Sequence, residues 1–136
     1  MVVLFHRMFD KLKIYSTVPL ELLTAMQAII WGLWLLIPFD TFSINPVYRE
    51  MRNVLPEHIW GIFFLGLGTV QAICIHTNCK LRRVVATTMF YSWVAVDILF
   101  WASKSWSAAP ITYITLVVAS GWVALSMAHR DKERSG

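Results

Sequence analysis

Residues 87–104 read TTMFYSWVAVDILFWASK, and this stretch decides the fold class. Apart from Asp97, it is an apolar segment with the length that a helix needs to cross a bilayer. At about 1.5 Å of rise per residue, such a segment spans most of the roughly 30 Å hydrocarbon layer. The chain contains four apolar blocks of this kind, at residues 20–37, 59–75, 84–101 and 111–128.

The composition agrees with a membrane setting. Hydrophobic residues make up 57% of the 136 residues and charged residues only 15%, and the mean hydropathy is +0.58. Only helices or closed barrels satisfy backbone groups in lipid, and the blocks lack the alternating pattern of barrel strands. The sequence therefore predicts an all-α integral membrane four-helix bundle that forms a single membrane domain over residues 1–136.

The segment before the first block predicts an amphipathic helix lying in the membrane plane, within residues 1–18. Its basic residues follow the apolar run instead of preceding it, which is unlike a secretory signal. Glu21 falls in the first turn of the first span, where the helix dipole favours a carboxylate that can reach water. One side of the predicted in-plane helix carries Val2, Phe5, Phe9 and Leu12.

The basic residues predict the orientation, because Lys and Arg concentrate in short cytoplasmic loops. Both termini are expected in the cytoplasm, in a multi-pass protein of the cell (inner) membrane with a tail at residues 129–136. The net charge of +4 is then explained by orientation, so no nucleic-acid partner is expected. Of the twelve basic residues, nine fall on the predicted inner side: Arg7, Lys11, Lys13, Lys80, Arg82, Arg83, Arg130, Lys132 and Arg134.

The longest connection, FDTFSINPVYREMRNVLPEH at residues 39–58, predicts a short helix on the outer membrane face. Asn45 followed by Pro46 is a helix-start signal. The polar residues of this loop are either solvated charges or a metal or catalytic site, although their spacing matches no ligand motif. They are Asp40, Glu50, Glu57 and His58.

Small and polar residues recur at helical spacing in every span, as in helices that pack together in lipid. We expect these stripes to form the bundle core. The first span carries Ala25, Ala28 and Gly32, with Gln27 alongside; the second carries Gly61, Leu65, Gly68 and Ala72, with Gln71 alongside. The third carries Thr88, Ser92, Ala95 and Ala102, and the fourth carries Thr112, Thr115, Ala119, Trp122 and Ser126.

Asp97 lies off the small stripe of the third span, about 140° from Ser92 at 100° per residue. It is expected to bond with Thr115, a Trp N–H or Lys104; the alternative is a direct role in proton or cation handling. The third span therefore has two faces that avoid lipid, and this predicts a homo-oligomer. Either the small stripe faces the core and Asp97 the neighbouring subunit, or Asp97 turns inward and the stripe faces the neighbour.

Catalytic motifs are missing from the sequence: it has no phosphate-binding glycine loop, HExxH, GxSxG or CxxC. Cys74, His76 and Cys79 form C-x-H-x-x-C, which could bind a metal, and His76 and His129 could ligate a haem. Most metal sites need a fourth ligand and a different spacing, and histidines at membrane interfaces are ordinary. We therefore predict that the protein is not an enzyme and holds no cofactor or metal.

The segments WGLWLLIPFDTF (31–42) and LPEHIWG (55–61), joined by a loop containing NP-x-Y, resemble small multi-span membrane proteins encoded by tailed phages and prophages. The resemblance covers the first half of the chain. It implies a phage product that acts in the host membrane or is carried in a virion, and it implies no catalytic residues.

Three functions are compatible with these observations. The first is a non-enzymatic, homo-oligomeric membrane protein that acts in assembly or in binding other membrane or virion proteins. The second is a holin-like pore former or ion conductor. The third is a haem- or metal-binding redox protein of the membrane.

Overall fold

The computed structural model describes residues 17–38, 41–77, 80–104 and 109–135, and in the last helix it describes the side chains of residues 113–129. These residues form an all-helical protein, which confirms the predicted class. The predicted in-plane helix lies outside the described residues. The helices are α1 (Val18–Leu36), α2 (Thr41–Ile44), a 3₁₀ turn (Pro46–Tyr48), α3 (Arg49–Val54), α4 (Glu57–Thr77), α5 (Arg82–Ala102) and α6 (Ala109–Ser135).

Within the described part of the chain, three helices are long and apolar enough to cross a bilayer, namely α1, α4 and α5. They cover the first three predicted blocks, and the first described helix is itself a span candidate. The fourth block lies in α6, whose apolar part runs over Tyr113–His129. The helix continues to Ser135, through most of the segment that the sequence assigned to a tail.

Helix ends follow from local chemistry. Pro19 lies in the first turn of α1, where its missing N–H costs nothing. The side chain of Asn45 accepts a hydrogen bond from the Val47 N–H and so caps the 3₁₀ turn, as the Asn-Pro signal predicted. After α5, Lys104 adopts a left-handed backbone conformation with φ of 54°, which ends the helix.

The four long helices pack around one another. The closest pairs are α1 with α4 and α5 with α6, and contacts of α4 with α5 and of α1 with α6 close the bundle. Helices α1 and α5 are therefore diagonal neighbours. We call the end where α1 and α5 begin the basic end, because Lys80, Arg82 and Arg83 lie there, and the opposite end the loop end.

Glycines let α1 and α4 approach at backbone distance. A Cβ added to Gly32 would lie 2.5 Å from the Leu65 nitrogen, and one added to Gly68 would lie 2.8 Å from the Ala25 carbonyl oxygen. Gly61 likewise faces the carbonyl oxygen of Gly32. The small stripes predicted for the first two spans thus lie at their mutual interface.

The stripe predicted to line the core from the third span faces outward instead. Thr88, Ala95 and Ala102 are exposed, and Ser92 is half-buried. Because glycines bring α1 and α4 close together, the remaining space on the other side of the bundle needs large side chains. The buried side of α5 supplies them with Met89, Trp93 and Phe100, beside the smaller Val85, Ala86 and Val96. In α6, likewise, Thr115 is exposed while Tyr113, Leu116, Ser120 and Val123 are buried.

Candidate functional site

A buried ion pair joins the diagonal helices at the basic end. Arg82 Nη2 lies 2.6 Å from Glu21 Oε1, and Arg82 Nε lies 2.7 Å from Glu21 Oε2. Both residues lie in the first turns of their helices. The two parallel hydrogen bonds match the fork of a guanidinium to a carboxylate, which is the strongest geometry for such a pair.

The ion pair belongs to a larger polar network. The Thr17 hydroxyl donates to Glu21 Oε1 at 2.6 Å, and the Thr24 hydroxyl donates to the backbone oxygen of Glu21 at 2.9 Å. Gln71 Nε2 of α4 then donates to Thr24 Oγ1 at 3.2 Å. The network therefore connects α5, α1 and α4, and it places the predicted polar residue Gln71 in the bundle interior.

The expectation that Glu21 reaches water is wrong, because this residue is fully buried. A buried carboxylate needs a positive partner, since moving a lone charge out of water costs several kcal/mol or more. Arg82 provides that partner while keeping 17% of its own side chain exposed. The pair can hold α1 and α5 in one relative position, because the guanidinium of Arg82 is bonded to the carboxylate of Glu21.

An aromatic cluster fills the middle of the bundle, with one ring from each long helix. Trp31 of α1 lies 4.8 Å from Phe64 of α4 and 5.7 Å from Trp93 of α5, measured between ring centroids. Trp93 lies 5.6 Å from Tyr113 of α6. These distances are within the range at which aromatic rings attract one another. The cluster couples all four helices at a single level.

The loop-end connection covers the bundle. The Tyr48 ring stacks on Phe42 at 5.1 Å and meets Phe100 of α5 at 5.3 Å. Glu57 holds this cover in place, because its carboxylate accepts hydrogen bonds from the backbone N–H groups of Thr41 and Phe42 at 3.2 and 3.1 Å. Burial raises the pKa of Tyr48 above its ordinary value.

Two of the loop residues considered for a metal or catalytic site make structural contacts instead. Glu57 anchors the cover, and Glu50 pairs with Arg49 at 3.2 Å. His58 is exposed, and Asp40 lies outside the described residues. A short helix is present in this connection as α3, as predicted, while its place on the outer membrane face stays a prediction. The Trp60 indole donates to the backbone oxygen of Met51 at 3.2 Å, which fixes α3 to α4.

The predicted partners of Asp97 do not bond its buried oxygen. Asp97 is half-buried, and its Oδ1 has no hydrogen-bond partner, so neither Thr115 nor Lys104 pairs with this atom. Thr115 and Lys104 are both exposed. Gln27, the other predicted intramembrane polar residue, is half-buried on α1. The structure thus brings Glu21, Gln71 and Arg82 together, while Oδ1 of Asp97 bonds none of the partners predicted for this carboxylate.

The metal and haem alternatives concern Cys74, which is buried, and His76 and His129, which are exposed. Cys79 lies outside the described residues. Among the residues whose side chains are described, no three histidine, cysteine or acidic residues come together as a ligand set.

The long apolar helices define a small multi-span helical membrane protein, with large exposed apolar side chains on α1, α4, α5 and α6. Comparison with protein families, with curated proteins and with solved structures finds no match to this chain.

Proposed function

We propose that the chain is a non-enzymatic integral membrane protein whose four long helices all cross the bilayer and which acts by assembly with copies of itself or with other membrane proteins. The observation that carries the proposal is the filled axis of the bundle. Large side chains occupy this axis at three levels, so we expect a single chain to be packed through its centre and not to conduct ions.

The three levels are distinct in chemistry. At the basic end the axis holds the Glu21–Arg82 pair, and in the middle it holds the four-ring aromatic cluster. At the loop end Tyr48 packs on Phe100. Opening a path for ions would require separating a bidentate ion pair and several ring contacts, each of which stabilises the closed bundle.

The outward stripe of α5 supports assembly. Thr88 and Ser92 donate their hydroxyls to the backbone oxygens of Val84 and Thr88, so their polar atoms need no further partner when another helix covers them. Ala95 adds a short side chain to the same face. Small, internally satisfied residues allow two membrane helices to approach closely.

Reconstitution into dye-loaded liposomes tests the proposal against the holin-like alternative. The wild-type protein is expected to leave the dye inside at all protein-to-lipid ratios. The variant Trp93→Ala, which removes the central ring, is the comparison that is more sensitive to dye release through the bundle axis. Dye release by the wild-type protein that grows with its concentration would contradict the proposal and support an oligomeric pore.

A further inference from the structure

Two polar atoms of α5 are buried without a hydrogen-bond partner, and they lie one helical turn apart. They are the indole Nε1 of Trp93 and the carboxylate Oδ1 of Asp97. Trp93 is fully buried, whereas Asp97 keeps part of its surface exposed. The other buried unpartnered atom found among the described side chains, Gln71 Oε1, belongs to the network at the basic end.

Helix geometry places the two side chains on the same side of α5. Residues four apart have Cβ atoms about 5–6 Å from each other, and side chains on a helix lean toward its N-terminus. Asp97 therefore leans over the turn that carries Trp93. Phe90, two turns before Asp97 on the same side of α5, packs against Gly121 of α6, so this side faces α6.

The two groups are complementary. The indole N–H is a donor only, and an ionised carboxylate is an acceptor only. A buried polar group without a partner destabilises the folded state, so two such groups within one helical turn favour a bound species that bonds with both. One bound species that accepts from the indole and donates to the carboxylate satisfies both.

We infer that Trp93 and Asp97 form a binding site for one water molecule beside α6. Water is the smallest species that both accepts and donates. A metal cation cannot accept from the indole N–H, and a halide cannot donate to the carboxylate. Asp97 lies five residues before the end of α5, so water has a short path to it from the loop end of the bundle. The site is complete within one chain, so it does not depend on the proposed assembly.

Nuclear magnetic resonance on the full chain in lipid nanodiscs tests this site. With ¹⁵N-labelled tryptophan, the Trp93→Phe variant identifies which of the seven indole signals belongs to Trp93. The Trp93 indole proton is expected to show a cross-peak to a long-lived water. Asp97→Leu should abolish it, whereas Asp97→Asn, which keeps an acceptor oxygen, should retain it. The exposed Trp101 indole is the control for surface water.

An absent cross-peak at Trp93 in the wild-type protein, or one that persists unchanged in Asp97→Leu, would overturn the inference. A second measurement uses only conservative changes, in case Asp97→Leu does not reconstitute. The infrared carboxyl band that disappears in Asp97→Asn is expected to shift in Trp93→Phe, because the bridging water loses its acceptor role there. A band at the same position in both backgrounds would show that no group links the two residues.

Discussion

Arg82 makes two hydrogen bonds to Glu21, at 2.6 and 2.7 Å, and thereby ties the first turn of α5 to the first turn of α1. These helices are diagonal in the bundle, so the pair works across the axis and not along a packed interface. Breaking a buried pair leaves one charge uncompensated, which is more costly than replacing the whole pair by apolar residues.

The first prediction follows from the unequal burial of the two partners. Arg82→Gln leaves a fully buried Glu21 without a counter-charge and should lower the free energy of unfolding by about 3 kcal/mol or more. Glu21→Gln should cost less, because Arg82 is partly exposed. The double variant Glu21→Leu with Arg82→Met should recover much of the loss. Unfolding in mixed micelles measures all three.

The control for this series is Lys80→Gln, which removes an exposed basic residue near the same end. It should change the unfolding free energy by no more than about 0.5 kcal/mol. If Arg82→Gln proves as mild as this control, the ion pair does not hold the two helices.

The second prediction concerns the contact between α1 and α4. Gly32→Ala should destabilise the protein by about 1–3 kcal/mol, since the new Cβ meets the backbone of Leu65. Gly66→Ala is the matched control on α4, because a Cβ there meets nothing within 4 Å. Thermal unfolding in detergent checks both. Equal effects of the two changes would argue against close backbone packing.

The third prediction is a pH dependence. Burial raises the pKa of Tyr48 above 10.0, so the folded state keeps its proton at pH values where the unfolded state has lost it. Up to about pH 10 both states bind the proton and the stabilisation is complete. Above that pH, the free energy of unfolding should fall by about 1.4 kcal/mol per pH unit until the folded pKa is passed.

Tyr48→Phe should remove this component of the decline. The gap in stability between wild type and variant at pH 7 is the internal reference. With rising pH, the free energy of unfolding should fall less for the variant than for the wild type. A difference that stays constant from pH 7 to pH 11 would contradict a buried, neutral Tyr48.

The fourth prediction concerns assembly through the outward stripe of α5. Ala95→Leu should reduce the assembly size in mild detergent and in nanodiscs, because a large side chain prevents close helix approach. Val118→Leu, at an exposed position on α6, should leave the size unchanged. Light scattering gives the mass directly. A wild-type protein that is monomeric in several detergents and in nanodiscs would exclude this mode of assembly.

How far the sequence predicts the fold depends on which signal an element carries. Apolar length predicted the three long span candidates, and the Asn45-Pro46 signal predicted the start of the 3₁₀ turn. The glycines of α1 and α4 also lie where their spacing placed them. These features depend on local composition, which is visible without knowledge of neighbouring helices.

The faces of α5 and α6 were harder to predict. Small residues there resembled a packing stripe, but the core beside a close glycine-mediated pair needs Trp93 and Phe100 instead. Which stripe faces inward depends on the distances between helices, and a single sequence does not contain them.

The Glu21–Arg82 network was missed for a similar reason. Arg82 had an adequate explanation as a topology marker, and Glu21 as a first-turn carboxylate. One available signal was the opposite charge of Glu21 and Arg82 near the starts of the first and third spans. These spans run in the same direction, so their starts lie at the same end of the bundle. Asp97 drew attention because it interrupts an apolar run, whereas Glu21 lies near the start of its helix.

The central claim is that α6 crosses the membrane together with α1, α4 and α5, and paired reporters test it most directly. One reporter is fused at the C-terminal residue 136 and the other is inserted at Ser43, in the connection between α1 and α4. Three helices separate the two sites, so the reporters should lie on opposite sides, with residue 136 in the cytoplasm. Reporters on the same side would show that α6 does not cross and would contradict the four-span account.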